Sequence, residues 1–282
     1  MLLRGVIEER RPLEEPEEGT RGPLARLGRP DRARALALAR DVLRFWGRSG
    51  AVLAPLVSRK PRPALDALLR LAVTEHRVQA TPPHAVVASW VGLARRDHRL
   101  APRAGFVNAV LRRALVPEAL AAWDEAGPTR LPEWIGARVA AQWGEAVRAA
   151  IEAAHERGAP IDLTPRSPDL APAIARSAGG EILPTGSVRL RTRAQVSRLP
   201  GFGQGAFWVQ DAASALPVAL LGELAGRSVL DLCAAPGGKT MQLAAAGARV
   251  TAVDASERRM ARLRQNLERT RLKARTVVAD IE

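Results

Sequence analysis

Residues 231–240 are the part of this chain whose residue types and spacing best suit ligand chemistry. Their sequence, Asp-Leu-Cys-Ala-Ala-Pro-Gly-Gly-Lys-Thr, predicts a strand that leads through a turn of small residues into a helix. Small residues let a ligand approach the backbone, and the amide groups at a helix start favour a negatively charged group. In an open α/β sheet, ligands bind beyond the carboxyl ends of the strands. The segment therefore predicts a ligand site above this turn.

Three classes of ligand compete for a turn of this kind. The Gly-Lys-Thr ending at 238–240 is shared with the nucleoside-triphosphate loop G-x-x-x-x-G-K-[ST]. That loop requires glycine at the position of Cys233, and Pro236 stiffens the backbone where free N–H groups are wanted. The dinucleotide pattern G-x-G-x-x-G is not present. The third class carries a carboxylate for the helix start and a ribose for an acidic residue beyond the next strand.

Two aspartates follow the next two predicted strands and fit this third class. Asp254 closes the second strand, where a carboxylate can accept hydrogen bonds from both ribose hydroxyls. Asp280 closes the third strand, where it would meet an adenine amino group. S-adenosylmethionine contains a carboxylate, a ribose and an adenine, so it is the cofactor that these residues predict.

The elements that must position these residues alternate between strands and helices. The pattern predicts strands at 228–232, 249–253 and 274–278, and helices at 239–246 and 257–270. Such alternation implies a parallel sheet with right-handed crossovers. We therefore predict that residues 206–282 form the first half of an α/β Rossmann-like sheet, with 228–232 as a buried strand.

Two further domains are predicted upstream, which makes the chain multidomain. Residues 1–128 carry amphipathic helical patterns without a strand signal, and this indicates an all-α helical bundle. Its four predicted helices lie at 32–46, 63–78, from Pro82-Pro83 onward, and 103–115. Residues 129–205 predict linker helices and then a small α+β domain.

Three segments resemble one known family. Residues 231–240 look like motif I of the RNA cytosine-5 methyltransferases, in particular the RsmB (Sun/Fmu) type that modifies 16S ribosomal RNA. The sequence Gln-Asp-Ala-Ala-Ser at 210–214 resembles a stretch that precedes motif I in that family. The sequence Asn-Ala-Val-Leu-Arg-Arg at 108–113 is similar to the NusB-like RNA-binding bundle at the N-terminus of RsmB-type enzymes.

The resemblance implies a fold, a cofactor and a set of site residues. It implies a NusB-like fold for residues 1–128 and the N-terminal half of a class I methyltransferase domain for residues 206–282. S-adenosylmethionine would lie with its methionine end on the turn, its ribose at Asp254 and its adenine at Asp280. The implied cofactor-binding residues are Cys233, Ala234, Ala235, Pro236, Gly237, Gly238, Lys239, Asp254 and Asp280.

The chain departs from the family in its cysteines. Cytosine C5 is a poor nucleophile, so a thiolate must first add to C6, and a base must later remove the C5 proton. In the family that thiol belongs to a Thr-Cys motif, and a second cysteine lies in an Asp-Ala-Pro-Cys motif; neither motif is present here. We interpret the single cysteine, Cys233, as a packing residue of the turn and predict no catalytic residue. Our hypothesis is a truncated form of a longer enzyme.

The charge of the chain predicts a polyanionic partner. Its 282 residues hold 43 Lys and Arg against 29 Asp and Glu, a net charge of +14. Nearly all of the basic residues are arginines, whose guanidinium groups suit phosphates and stack on bases. Ribosomal RNA (16S) is therefore the predicted partner. The predicted RNA-facing arginines of the bundle are Arg95, Arg96, Arg99, Arg103, Arg112 and Arg113.

Composition also excludes several classes of protein. A chain with 47% hydrophobic and 26% charged residues is neither disordered nor collagen-like. No apolar run approaches the roughly 18 residues of a membrane-spanning helix. One cysteine and four dispersed histidines argue against a disulfide and a zinc site. We predict a cytoplasmic monomer without membrane or metal partners.

Two functions remain. The first is methyl transfer from S-adenosylmethionine to C5 of a cytosine in ribosomal RNA, with the nucleophilic cysteine outside these residues. The alternative is a non-catalytic RNA-binding protein that has a NusB-like bundle and a vestigial cofactor half-site.

Overall fold

The computed structural model describes residues 2–10, 13, 24, 27–192 and 194–281. The chain divides into two compact units, Met1–Gly158 and Ala159–Glu282. The finer division into three domains, with boundaries after residues 128 and 205, stays a prediction.

The first unit is helical throughout its described part. Pro63, Pro83 and Pro117 each occupy the first position of a helix, where the missing N–H is not needed. The helices are α1 (Leu2–Ile7), α2 (Arg29–Arg44), α3 (Trp46–Leu53), α4 (Pro63–Gln79), α5 (Pro83–Arg96), α6 (Ala104–Ala114), α7 (Pro117–Glu125), α8 (Glu133–Trp143) and α9 (Glu145–Arg157).

The core of the bundle follows the apolar stripes of α3 to α7. Stripes with three- and four-residue spacing bury one face of each helix against the others. The fully buried side chains of this core include Val52, Leu69, Val73, Val86, Val107 and Leu111. The prediction of an all-α bundle is thereby confirmed.

The predicted number of four helices in this bundle is wrong. The pattern at 32–46 is broken at Phe45, and α3 begins at Trp46. Gly47 and Gly50 lower the intrinsic helix propensity of α3, so the sequence pattern does not indicate a separate helix here. Its stability comes from tertiary packing, since Val52 and Leu53 are buried. Helices α1 and α7 were also missed, because both are short.

A half-buried ion pair joins the helical hairpin of α8 and α9 to the bundle. Arg48 of α3 donates to both carboxylate oxygens of Glu156 of α9, at 2.9 and 2.7 Å. It also donates to the carbonyl oxygen of Trp123 at 2.6 Å. The Glu156 carboxylate raises the pKa of Arg48 above its ordinary value. The hairpin therefore packs as part of the helical unit.

The second unit begins with a four-stranded antiparallel sheet. Its strand order is β2-β3-β1-β4, and helix α10 (Ala171–Ala178) packs against it. The strands are β1 (Asp162–Pro165), β2 (Gly180–Ile182), β3 (Val188–Leu190) and β4 (Phe207–Val209). Sequence analysis placed residue 207 at the entry to the α/β part, but β4 pairs with β1 through Leu163 and Val209. Three-residue strands carry too little periodicity for their partners to be predicted.

A three-stranded parallel sheet follows, in the order β5-β6-β7. The chain alternates through α11 (Ala212–Ala219), β5 (Ser228–Asp231), α12 (Gly238–Ala245), β6 (Arg249–Asp254), α13 (Glu257–Thr270) and β7 (Arg275–Val278). This confirms the predicted half of a Rossmann-like sheet. The prediction that 228–232 is a buried strand is wrong, because β5 lies at the edge of the described sheet and Leu230 is 56% exposed.

A buried carboxylate connects the small sheet to α11. Asp162 accepts two hydrogen bonds from Arg189, at 2.8 and 2.9 Å, and one from the N–H of Ala212 at 3.0 Å. The Arg189 guanidinium, opposed by burial, holds the pKa of Asp162 below its usual value. The Asp211 side chain caps the N-terminus of α11, so this helix is fixed at its first turn.

A second arginine connects the small sheet to α13. Arg269 donates to the carbonyl oxygens of Phe202 and Phe207, at 2.9 and 3.0 Å, and its guanidinium stacks 4.1 Å from the centre of the Phe202 ring. Burial lowers the pKa of this guanidinium. Both sheets of the second unit are therefore anchored to the same helices.

Asp162→Asn should destabilise the protein. Breaking a fully buried pair costs roughly 3–5 kcal/mol, and we expect about 2–3 kcal/mol here because the Arg189 side chain is 38% exposed. Chemical denaturation measures the loss, and Asp169→Asn, at an exposed site, is the matched control.

The same pair predicts a pH dependence. Because the pKa of Asp162 is lowered on folding, its stabilisation is present above about pH 4 and is lost as pH falls through the lowered pKa. Asp162→Asn should flatten this acid limb of the stability curve. Parallel acid limbs for the wild type and the variant would contradict the assignment.

Candidate cofactor site

Three acidic residues follow the carboxyl ends of the parallel strands. Asp231 is the last residue of β5 and pairs with Ala252, and Asp254 is the last residue of β6 and pairs with Val278. Asp280 follows β7 by two residues. Since parallel strands end at the same edge, the structure brings these carboxylates to one edge of the sheet, beside the turn of residues 232–237.

Strand β6 holds the backbone of this turn. The N–H of Ala234 donates to the carbonyl oxygen of Val253 at 3.0 Å, and the N–H of Ala235 donates to Asp254 Oδ2 at 3.1 Å. Both alanines are buried, so a larger side chain would not fit. The turn is closed by the N–H of Gly237, which donates to the carbonyl oxygen of Ala234 at 2.8 Å.

Two side chains of helix α13 donate hydrogen bonds to backbone carbonyl oxygens of the same turn. Arg259 donates to the carbonyl oxygen of Ala235, and Asn266 Nδ2 donates to that of Pro236 at 3.0 Å. Sequence analysis missed both residues. Their separation of seven residues, two helical turns, places them on one face of α13, but no sequence signal showed that this face meets the turn.

The two glycines of the turn have different roles. Gly237 adopts a φ of +107°, and a Cβ there would lie 3.0 Å from Leu263 Cγ, so the position requires glycine. Gly238 begins α12, and a Cβ on it would only touch the side chain of Gln210 at 3.5 Å. In the first turn of α12, the amides of residues 238–240 have no acceptor within the helix.

Three hydrogen-bonded side chains connect α12 to β4 and α11. Trp208 Nε1 donates to Gln210 Oε1 at 2.8 Å, and Gln210 Nε2 donates to Gln242 Oε1 at 2.9 Å. Gln242 then donates to the carbonyl oxygen of Ala215 in α11 at 2.9 Å. Trp208 is almost fully buried and packs in the core that contains Met241. These bonds explain why Gln210 precedes the motif: its side chain joins α11, α12 and β4.

A short hydrogen bond crosses the turn. Thr240 Oγ1 donates to Asp231 Oδ2 at 2.7 Å, and Thr240 is fully buried. The end of β5 and the start of α12 are therefore held together at the two ends of the motif.

The sequence-predicted site residues differ in their exposure. Ala234, Ala235, Gly237 and Asp254 are buried, and Gly238 is half-buried. The remaining members are exposed: Cys233, Pro236, Lys239 and Asp280. The interpretation of Cys233 as a packing residue is therefore wrong, because its side chain is open to solvent. The site therefore presents the backbone of the turn, the Cys233 and Lys239 side chains and the Asp280 carboxylate to solvent.

Asp254 has partners of its own within the protein. Its Oδ1 accepts a hydrogen bond from the N–H of Ser256 at 3.0 Å, and its Oδ2 accepts the one from Ala235. Arg259 Nη2 lies 3.5 Å from Oδ2, and only 4% of Asp254 is exposed. Asp254 therefore stabilises the turn through contacts within the protein, independently of any ligand.

Within the described residues, no cluster of three or more His, Cys, Asp or Glu side chains could hold a metal ion. The same residues include no helix that is both long and apolar enough to cross a membrane.

Asp254→Ala should destabilise the protein in the absence of any ligand. The change leaves the buried N–H of Ala235 without its acceptor, which costs about 1–3 kcal/mol in unfolding free energy. Asp254→Asn, which keeps one oxygen acceptor, should lose less. Thermal denaturation of both variants, with Asp169→Asn at an exposed site as the control, tests this role; equal unfolding midpoints for all three would contradict it.

Comparisons with known proteins agree with this geometry. Residues 218–282 match the family described as 16S rRNA methyltransferase RsmB/F, and residues 2–115 match the NusB family. Ribosomal RNA small subunit methyltransferase B of Xanthomonas campestris pv. campestris is 37% identical over 255 residues, which cover 85% of this chain and 57% of that protein. The protein of the same name from Sodalis glossinidius is 32% identical, over 91% of this chain and 62% of its own length.

The fold has a counterpart among solved structures. The crystal structure of PH0851 matches 91% of this chain and 62% of its own chain, with a TM-score of 0.63 and 21% identity. This likeness supports the fold alone. The chain spans 48–62% of the length of these and similar curated relatives. Two separate regions of the chain thus resemble known families: residues 2–115 match the NusB family, and residues 218–282 match the 16S rRNA methyltransferase RsmB/F family.

Proposed function

We propose that these 282 residues form the RNA-binding and cofactor-binding part of an S-adenosylmethionine-dependent methyltransferase that acts on C5 of a cytosine in 16S ribosomal RNA. The observation that carries the proposal is the anchored turn at 232–237, with Asp254 and Asp280 at the same sheet edge. The names of the relatives, ribosomal RNA small subunit methyltransferase B, support the choice of substrate.

The polar groups of the site fit S-adenosylmethionine. The first turn of α12 presents amide donors, which suit the carboxylate of the cofactor. Asp254 and Asp280 present acceptors, which suit ribose hydroxyls and an adenine amino group. A carboxylate has about four lone-pair positions, so Asp254 keeps acceptor capacity beside its bonds from Ala235 and Ser256.

The charge of this edge distinguishes S-adenosylmethionine from a nucleoside triphosphate. Asp231, Asp254 and Asp280 contribute three carboxylates, against the ammonium group of Lys239 and the guanidinium group of Arg259, which lies 3.5 Å from Asp254 Oδ2. A polyphosphate would be repelled by these carboxylates, whereas S-adenosylmethionine is a cation overall and would be attracted. The electrostatics therefore favour the sulfonium cofactor.

The cofactor, when bound, supplies an electrophilic methyl group on its sulfonium sulfur. The residues of this chain contribute positioning: the turn is held between β6 and α13, so its backbone groups meet a ligand without rearrangement. We propose that Cys233 lines the turn without taking a covalent role. The attacking thiolate would come from a cysteine outside these residues.

Cofactor binding is the first test. Calorimetry on this chain should detect binding of S-adenosylmethionine and should detect no binding of ATP. Asp280→Ala should weaken the cofactor about tenfold or more, because a hydrogen bond to a charged group contributes about 1.5–3 kcal/mol. Asp169→Ala, which removes the same charge at an exposed site elsewhere, should leave affinity unchanged. Binding of ATP without binding of S-adenosylmethionine would overturn the cofactor assignment.

Methyl transfer is the second test. With tritiated S-adenosylmethionine and unmodified 16S RNA, this chain should bind both and incorporate no label. Incorporation that Cys233→Ala abolishes would identify Cys233 as the nucleophile and refute its proposed role. RNA binding without any cofactor binding would instead favour the non-catalytic alternative.

A further inference from the structure

A groove of about 540 Å³ lies between α5 and α6 of the helical bundle. Its floor is apolar and includes Val87, Val91 and Leu115. Ala88 and Gly92, one helical turn apart, widen it, and a Cβ on Gly92 would have only the tip of Arg96, at 3.8 Å, within 4 Å. The space above Gly92 is therefore open to a flat or narrow group.

The rim of the groove is cationic. Arg95 of α5 and Arg112 of α6 are both exposed on it, with His84 and Asn108. Arg112 Nε donates a long hydrogen bond, 3.4 Å, to Asn108 Oδ1, so these two residues of the rim are in contact. Among the described residues that line the groove, none is an aspartate or a glutamate.

The surroundings favour a polyanion over a peptide. Residues 83–116 contain six arginines, all exposed, and one acidic residue, Asp97. A peptide with one or two carboxylates would leave most of these guanidinium groups unmatched, whereas a phosphodiester chain carries one charge per nucleotide. An apolar floor between two arginines also suits a nucleobase flanked by its phosphates.

We propose that a single-stranded segment of RNA binds in this groove, with an unpaired nucleobase on the floor at Ala88 and Gly92 and its flanking phosphates on Arg95 and Arg112. The proposal rests on the proposed function, which makes RNA the substrate. A base inside a duplex is stacked and paired, so only an unpaired base can enter a groove between two helices. The groove thus selects for loops or single strands.

The arginines of the groove are tested against their neighbours. In one variant Arg95→Gln and Arg112→Gln are combined, and in the control Arg99→Gln and Arg113→Gln remove the same charge from exposed positions that do not line the groove. With a uridine dodecamer, the groove variant should bind at least tenfold more weakly, and the control no more than threefold. The salt dependence of the groove variant should also be shallower, by about one unit of slope per lost phosphate contact.

The apolar floor is tested without a change of charge. Gly92→Leu fills the groove, and leucine is a better helix former than glycine, so α5 should remain folded. This variant should bind the uridine dodecamer about tenfold more weakly but should bind an abasic dodecamer, which has phosphates and no bases, as the wild type does. Polyglutamate should compete poorly against the uridine dodecamer.

Three results would overturn the proposal. They are equal weakening by the two arginine pairs, equal affinity of Gly92→Leu and wild type for the uridine dodecamer, and competition by polyglutamate as strong as that by RNA. S-adenosylmethionine affinity, measured on the same variants, should equal that of the wild type. Failure of the proposed function would appear as missing cofactor binding in the wild type, which is a separate measurement from the groove results.

Discussion

The hydrogen bond from the N–H of Ala235 to the carboxylate of Asp254 is the interaction on which the candidate site depends. It joins the turn after β5 to the end of β6, so the shape of the turn is set by the register of the parallel sheet. Arg259 and Asn266 of α13 stabilise the turn further, because both donate hydrogen bonds to its carbonyl oxygens. A turn fixed in this way presents its amide groups in advance, and a ligand gains affinity because little ordering remains on binding.

The small antiparallel sheet fixes the positions of helices α11 and α12. Asp162, between Arg189 and the N-terminus of α11, fixes the helix that leads into the parallel sheet. Trp208 and Gln210 extend the connection to α12 through Gln242. The residues that flank the motif thus act through packing and hydrogen bonds, whereas in the proposed site the cofactor would contact only the turn and the sheet edge. A substitution in this support should change stability and cofactor affinity together.

The chain also separates its charges. The edge of the parallel sheet carries Asp231, Asp254 and Asp280, which suit a cationic cofactor, although the net charge of the whole chain is +14. The excess of arginine appears instead on surfaces such as residues 83–116, which suit phosphates. A cofactor and a nucleic acid of opposite charge can thus be bound by one polypeptide, because each meets a surface of complementary sign.

By itself, the sequence determined the alternation of strands and helices in 228–278, the all-α nature of the bundle and the motif at 231–240. These features are local, since periodicity, turn residues and caps such as Asp211 act within a few positions. The tertiary structure alone decided that β4 pairs with β1 and that Arg259 and Asn266 reach the turn. It also decided that Asp254 is almost fully buried. Those outcomes depend on contacts between residues far apart in the chain, and no local pattern encodes which face of an element meets which neighbour.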